Sequence, residues 1–205
     1  MANNALALLG QTELAGRTYS ATLITAIADL FAQAHSSLAL LHAMIVVNGP
    51  GSFTGVRVGL SAVKGLAEVG SVGVVQISRL EVLSRRAQVP SAALDAHRNE
   101  VFLRLARPGQ EPRELLAGRE ELLSLGPAPP SIAVCDDGAS ALIAAVWPDV
   151  QQVHTAPPTA ADALLFSAPL IAAHAFVDVA LLDGHYLRRS DAEIFGGPDA
   201  PPRPR

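Results

Sequence analysis

The stretch that decides the fold is Val46-Val47-Asn48-Gly49-Pro50-Gly51-Ser52-Phe53-Thr54-Gly55-Val56-Arg57-Val58-Gly59. Residues 44–47 form a short apolar run rich in β-branched residues, which is typical of a strand buried on both faces. After Gly55 the apolar residues recur at helical spacing, as Val56, Leu60, Val63 and Ala67. The stretch therefore predicts a strand, a glycine-rich turn and a helix over about 55–69.

Three interpretations of this turn compete. It can be a plain βα connection, whose glycines permit positive φ and close packing. It can bind phosphate, because the N–H groups and the dipole at a helix N-terminus attract anions. No Gly-Lys-Ser/Thr follows, however, and Gly49, Gly51 and Gly55 miss the dinucleotide spacing by one residue. Finally, it can belong to a docking surface, in which Gly59 and Ala62 let a partner helix approach closely.

On either side of this stretch, the first 90 residues alternate between strand and helix patterns. Residues 5–9 and 12–19 predict two short strands, and Ser20 is predicted to cap a helix ending near residue 35, whose apolar stripe includes Leu23 and Ile27. A strand over 72–76 and a helix from Ser78 to residue 86 follow. This order predicts an α/β fold with parallel strands.

The pattern changes after residue 90, which suggests a second lobe. The prediction is a hairpin of strands 92–96 and 101–107, a polar loop over 108–118, a helical turn over 120–125, a strand at 132–135, a helix over 139–146, and a helix over 159–176 that Thr159 caps with Asp162. The predicted organisation is an N-terminal lobe over 1–90, a C-terminal lobe over 91–195 and a disordered tail over 196–205.

The composition is that of a globular protein with a substantial core. Half of the 205 residues are hydrophobic, 17% are charged, and the formal net charge is −4. This charge argues against a protein that grips RNA phosphates unaided. The single cysteine, Cys135, predicts a reducing compartment and, beside a strand, a buried and unreactive thiol. With no signal peptide, and with polar interruptions in the apolar segment 164–182, we expect a cytoplasmic protein.

The sequence shows no pattern that predicts catalytic or metal-binding residues. No two of the six histidines lie closer than seven residues, so a His-x-x-x-His metal pair is absent. The Asp136-Asp137-Gly138 run is typical of a turn after a strand, and His97 at a hairpin tip is typical of a solvated side chain. No Gly-x-Ser-x-Gly elbow occurs.

Residue identity adds a family resemblance to this reading. Residues 49–59, followed by Lys64-Gly65-Leu66-Ala67, resemble the signature of the TsaB family, the bacterial tRNA threonylcarbamoyladenosine biosynthesis proteins once called YeaZ. Ala93 to Phe102 resembles the family's second landmark, with His97 in place of the usual arginine. Tyr186-Leu187-Arg188 and Asp191-Ala192-Glu193 match its C-terminal motif. The similarity runs from about residue 5 to 195.

The resemblance implies the two-lobed, actin-like ATPase (ASKHA or RNase H-like) superfold. Family members begin with an apolar strand ending in Asp-Thr, and no such strand precedes residue 5 here. We therefore expect the assigned start to lie too far downstream, which an in-frame upstream start in the coding DNA would test. In actin, sugar kinases and Hsp70, that Asp-containing turn acts on the nucleotide phosphates. A chain without it is expected to be a poor ATPase or kinase.

The resemblance also implies a non-catalytic subunit that binds TsaD and supports transfer of a threonylcarbamoyl group to adenosine 37 of tRNAs reading ANN codons. A TsaE-like ATPase would join the assembly, tRNA would bind only through the complex, and a homodimer would compete with the heterodimer. We expect no cofactor of its own, with ADP or ATP at most at the partner interface, and no membrane contact.

The residues expected to bind the partner or to carry the family motif lie on the two helices and the turn: Ser20, Leu23, Ile27, Gly49, Pro50, Gly51, Ser52, Phe53, Thr54, Gly55, Arg57, Gly59, Ala62 and Lys64. Two other classes stay open. A phosphotransferase or ATPase of the same superfold would bind ATP–Mg²⁺ with micromolar affinity. A peptidase would lose activity to a chelator.

Overall fold

The computed structural model describes residues 6–14 and 19–188. In chain order, the helices and strands are α1 (Tyr19–Gln33), β1 (Ala43–Val47), α2 (Phe53–Gly70), β2 (Gly73–Ile77), α3 (Arg79–Arg86), β3 (Ala92–His97), β4 (Glu100–Leu105), β5 (Arg113–Gly118), α4 (Arg119–Ser124), β6 (Ser131–Val134), α5 (Asp137–Val146), β7 (Gln151–His154) and α6 (Ala160–Ala172). A short 3-10 helix, Leu38–Leu40, precedes β1.

The strands form two sheets. β1 and β2 pair in parallel, with Ala43 opposite Gly73 and Val47 opposite Ile77. The second sheet has the order β5-β4-β3-β6-β7, in which β3 to β5 are antiparallel and β6 and β7 run parallel to β3. The predicted α/β fold with two lobes is confirmed.

Helices cover the first sheet on both faces, as its apolar run predicts. Val46 and Val74 pack with Leu60 and Ala67 of α2. The alternate strand residues Ile45 and Ile77 pack instead with Ala163 of α6. The helix α6 follows the second sheet in the chain, yet it packs on the first sheet. The chain therefore returns to the N-terminal lobe at α6.

The second sheet also has an apolar layer on each face. Val101, Leu103, Ile132 and Val134 are fully buried against α4 and α5. On the other face, Leu80 and Leu83 of α3 pack against Ala92, Leu94 and Ala133. The helix α3 follows the first sheet directly and packs on the second, and it therefore joins the two lobes.

The structure corrects four local predictions. Residues 6–14 form no strand, since no described strand offers them a hydrogen-bonding partner, and Leu6, Leu8 and Leu9 are exposed. Ser20 is not an N-cap, because α1 already begins at Tyr19. Part of the predicted loop 108–118 is the strand β5, and α6 ends at Ala172 instead of residue 176. The strand β7 was not predicted.

Two predicted helix caps are confirmed. The Ser78 hydroxyl accepts a hydrogen bond from the Leu80 N–H at the start of α3. Thr159 and Asp162 form a reciprocal capping box at the start of α6, and Arg86 Nη1 lies 2.5 Å from Asp162 Oδ2. Burial alone would raise the pKa of Asp162, but the bonds from Thr159 and Arg86 together outweigh it and hold that pKa below its ordinary value.

Some predictions fall outside the described residues. These are the disordered tail over 196–205, the motif residues Asp191, Ala192 and Glu193, residue 5 of the predicted strand 5–9, and residues 15–18 of the predicted strand 12–19. In the part of the chain that the structure describes, no helix is both long enough and apolar enough to cross a bilayer.

Candidate functional site

The turn between β1 and α2 is held by close backbone contacts. Gly49 has φ +123°, and a Cβ at this position would lie 3.1 Å from the carbonyl oxygen of His185. The Gly49 carbonyl accepts a hydrogen bond from the Arg79 N–H, and the Asn48 carbonyl accepts one from the His185 N–H. Gly49 is therefore required by backbone conformation and packing, which supports the plain βα interpretation at this residue.

Motif residues at the start of α2 contact the C-terminal segment. The Arg57 guanidinium lies 3.8 Å from the centre of the Phe53 ring, and the Phe53 and Tyr186 rings are 5.0 Å apart. Arg57 Nε donates a hydrogen bond to the Tyr186 hydroxyl at 3.4 Å. These cation–π and ring contacts attach residues 186–188 to the glycine-rich turn.

A cleft of about 660 Å³ opens between the lobes beside this cluster. Its walls come from the β1–α2 turn, the start of α3, the β3–β4 hairpin and residues 185–188. His97 Nδ1 lies 3.0 Å from Asp95 Oδ2 at the hairpin, and the His97 side chain is 84% exposed. The prediction of a solvated hairpin histidine is confirmed, although His97 also pairs with Asp95.

A polar junction behind the cleft centres on Glu114 of β5, whose side chain is 7% exposed. One carboxylate oxygen accepts a hydrogen bond from Arg104 Nη1 at 2.7 Å. The other accepts one from the Ser78 hydroxyl at 2.6 Å and lies 2.9 Å from His185 Nε2. Glu114 thus ties the start of α3 and the C-terminal segment to the second sheet.

Cys135, predicted to be buried, is only partly buried, and it has the properties of an unreactive thiol. Burial and the neighbouring Asp136 carboxylate raise the pKa of Cys135 above its ordinary value, against a smaller opposite effect of the Arg79 guanidinium. The thiol is therefore protonated at neutral pH, whereas nucleophilic cysteines need the thiolate. Within residues 6–14 and 19–188, no three His, Cys, Asp or Glu side chains are grouped as a metal ion would require.

The helices α1 and α2 form a second surface on the far side of α2 from the sheet. No residue of α1 is buried, and Ile24 is 58% exposed. A shallow groove of about 410 Å³ runs between the helices; it is lined by Ser20, Leu23, Ile24, Arg57, Val58, Ser61 and Ala62. A Cβ added at Gly59 would meet no atom within 4 Å, so the backbone is open there.

Most of the predicted site residues lie in one of two places, the α1–α2 groove or the cleft. Ser20, Leu23, Arg57 and Ala62 line the α1–α2 groove, with Ile27 on the same helix and Gly59 open nearby. A second group, Pro50, Gly51, Ser52 and Phe53, lines the cleft.

The other predicted residues serve the chain's own structure. Gly49 contacts His185, Gly55 N–H bonds the Ser52 hydroxyl, Thr54 lies in the first turn of α2, and Lys64 Nζ donates to the Ala180 carbonyl. Ile24, Arg79 and Glu114 were not predicted as site residues from the sequence. Of these, only Ile24 had a sequence signal, because it belongs to the apolar stripe of α1.

The parallel β1-α2-β2 unit, the second mixed sheet and the cleft between them define the class: a two-lobed protein of the actin-like ATPase superfold. A family model described as "TsaD: tRNA N6-adenosine threonylcarbamoyltransferase" matches residues 11–120, just over half of the chain. Among solved structures, YeaZ from Pseudomonas aeruginosa has a TM-score of 0.67 and 25% identity, covering 85% of this chain and 87% of that one. An uncharacterized protein from the same organism, with similarity to peptidase YEAZ, has a TM-score of 0.66 and 26% identity over 84% and 85%.

Two curated proteins are similar to part of the chain, and their names state a biosynthetic pathway. The chain is 36% identical over 96 residues to the tRNA threonylcarbamoyladenosine biosynthesis protein TsaB of Haemophilus influenzae, and 30% identical over 96 residues to that of Escherichia coli. Each match covers 44% of this chain. The matched part is 41% of the Haemophilus influenzae protein and 42% of the Escherichia coli protein, so it spans less than half of either relative. The chain belongs to the family that the matching model describes, and its curated relatives and the solved YeaZ structure place it with the TsaB proteins.

Proposed function

We propose that this chain is a non-catalytic subunit of the machinery that makes threonylcarbamoyladenosine in tRNA. In this proposal it binds a TsaD-like protein and supports transfer of the threonylcarbamoyl group to adenosine 37 of tRNAs reading ANN codons. The names of the two curated relatives, both biosynthesis proteins of this modification, support the pathway. The exposed α1–α2 surface is the observation that carries the binding role.

The α1–α2 surface has the properties of a protein interface. On its inner side, α2 buries Leu60 and Ala67 against the sheet, so the outward side is not needed for the lobe's own core. The outward side of α2 presents the small Ala62 and the open backbone at Gly59, and beside them α1 presents the exposed Ile24. Apolar groups around a shallow groove, with small residues that permit close helix approach, suit a partner's helix pair.

The remaining parts of the proposal rest on this surface, on the charge and on the resemblance to the TsaB proteins. The same patch is self-complementary in principle, so a homodimer would compete with the heterodimer. At a net charge of −4, tRNA would be bound by the assembled complex and not by this chain alone. A TsaE-like ATPase would complete the assembly in the cytoplasm, and any ADP or ATP held at the subunit interface would belong to the complex.

Gly59→Arg is expected to abolish binding of the TsaD-like subunit of the same organism. The arginine side chain would extend from the open backbone at Gly59 into the volume that the partner helix occupies. The free chain should fold normally, since arginine favours a helix interior over glycine by roughly 0.5–1 kcal/mol. Isothermal titration of the wild type and the variant with the purified subunit measures the effect.

Gln110→Arg is the matched control for this experiment. It adds the same side chain at an exposed loop position in the other lobe, and it should leave binding unchanged. A Gly59→Arg chain that keeps wild-type affinity, with an unchanged circular dichroism spectrum, would contradict the proposed docking surface. Loss of binding in both variants would point to a charge effect and would also contradict it.

A further inference from the structure

The groove between α1 and α2 combines apolar walls with a single cation. Among the described residues that line it, Arg57 alone carries a charge, and Leu23 and Ile24 are among its apolar neighbours there. The other cation of the two helices, Lys64, does not line the groove, and its ammonium group donates a hydrogen bond to the Ala180 carbonyl. The groove is therefore complementary to an apolar surface that carries one carboxylate.

Arg57 is an exposed guanidinium that lacks a charged acceptor. No ion pair joins it to a carboxylate within residues 6–14 and 19–188, although α1 contains Asp29 and α2 contains Glu68. A guanidinium binds a carboxylate through two parallel N–H···O bonds, which contribute orientation as well as affinity. A carboxylate on a partner would supply the acceptor that the described part of this chain does not provide.

Two aromatic side chains hold Arg57 in one orientation. Its guanidinium lies 3.8 Å from the centre of the Phe53 ring, and its Nε donates a hydrogen bond to the Tyr186 hydroxyl at 3.4 Å. Within the described residues, its two Nη groups donate no hydrogen bond, so they remain available for a carboxylate. An arginine that is already oriented loses less side-chain freedom when a partner binds, which favours affinity.

We propose that Arg57 binds a carboxylate on an apolar helix of the TsaD-like subunit, and that Phe53 and Tyr186 are positioning residues for this contact. The proposal rests on the proposed function, because it assigns the chemistry of the partner at the α1–α2 surface. The net charge of −4 makes the contact selective. Away from Arg57 the acidic chain disfavours a negatively charged surface, so the partner's carboxylate has to meet this one position in the groove.

The contact would also affect a segment outside the groove. Tyr186 belongs to residues 183–188, and Arg188 of this segment is paired with Glu100 of the second lobe. A partner that immobilises Arg57 also immobilises Tyr186, and through Tyr186 a segment attached to both lobes. We therefore expect amide exchange in residues 183–188 to slow when the partner binds, although none of them lines the groove.

Isothermal titration of the full chain with the purified TsaD-like subunit tests the contact. Arg57→Gln should weaken binding about tenfold, through loss of charge-assisted hydrogen bonds. The affinity of the wild type should fall as salt is added, whereas that of Arg57→Gln should depend less on salt. Arg113→Gln, at an exposed position of β5, is the matched charge control and should keep the wild-type affinity.

Tyr186→Phe tests the positioning role. It removes the hydroxyl acceptor, keeps the ring beside Phe53 and should weaken binding about threefold. Because Tyr186 acts through Arg57, the double variant Arg57→Gln/Tyr186→Phe should bind no more weakly than Arg57→Gln alone, whereas a separate structural role would add the two losses. Hydrogen–deuterium exchange at saturating partner should slow in residues 183–188 of the wild type and not in those of Arg57→Gln.

Several results would overturn the proposal. Wild-type affinity in Arg57→Gln, or additive losses in the double variant, would contradict it. If Gly59→Arg abolishes binding in the same experiment, the docking surface stands and only the assigned contact fails; if Gly59→Arg binds normally, the proposed function itself fails. Weaker self-association of Arg57→Gln in sedimentation velocity, with unchanged affinity for the subunit, would assign the carboxylate to a second copy of this chain and would also overturn the proposal.

Discussion

Glu114→Leu is expected to lower the free energy of unfolding by about 3–5 kcal/mol, because it leaves a mostly buried arginine without its partner. Arg104 is 17% exposed, and Glu114 is the acceptor that pairs with its guanidinium within the described residues. The same substitution removes the acceptor for Ser78 and the partner of His185. Urea unfolding of the full chain at neutral pH measures the change.

Two further variants make this prediction specific. Glu111→Leu changes an exposed glutamate three residues earlier and should shift stability by no more than about 0.5 kcal/mol. The double variant Arg104→Leu/Glu114→Leu removes both buried charges and should recover much of the loss. A loss below about 1 kcal/mol in Glu114→Leu would mean that the junction is not a stabilising link between the lobes.

Leu122→Ala is expected to lower the free energy of unfolding by about 2–5 kcal/mol, the usual effect of emptying a closely packed leucine site. Leu122 of α4 is completely buried in the core of the second lobe, beside Val101 and Ile143. The cavity would be enclosed by α5 and the sheet, so we expect little collapse. Denaturant unfolding followed by circular dichroism gives the value.

Leu123 is the natural control for this substitution. It is the next residue of the same helix and carries the same side chain, but it is 57% exposed. Leu123→Ala should change stability by no more than about 0.5 kcal/mol, since it removes little buried surface and alanine favours the helix. Equal losses in the two variants would contradict the burial pattern of α4.

The elements that could be predicted from the sequence are those whose local signals and tertiary contacts agree. The run before Gly49 is apolar on both faces, and it is covered by α2 and α6. Ser78 and Thr159 are good caps by residue type, and each accepts the expected hydrogen bond. In these places the local choice of structure does not depend on a distant residue.

The wrong predictions occur where a distant partner decides. The segment before Leu115 looks polar, yet Glu114 enters a strand because Arg104, Ser78 and His185 satisfy its carboxylate. Residues 6–14 have the opposite problem: the apolar run at 6–9 suits a strand, but no described strand pairs with it. Strand formation depends on such partners more than helix formation does.

The candidate site was only partly predictable for a related reason. The family motif indicated the turn and both helices, but it does not separate residues that pack within the chain from residues that face a partner. Lys64 and Gly49 make intramolecular contacts, whereas Gly59 and Ala62 remain accessible. Arg79 follows an ordinary helix cap, and only the folded chain brings it to a cleft with Tyr186.

The proposed function requires that α1 and α2 form the surface that a partner covers. Hydrogen–deuterium exchange of this chain, alone and mixed with the TsaD-like subunit, tests that directly. We expect slower exchange on mixing in Tyr19–Gln33 and in the outward side of Phe53–Gly70, with β5 and β7 unchanged. Protection confined to the second lobe, or no protection at saturating partner, would contradict the account.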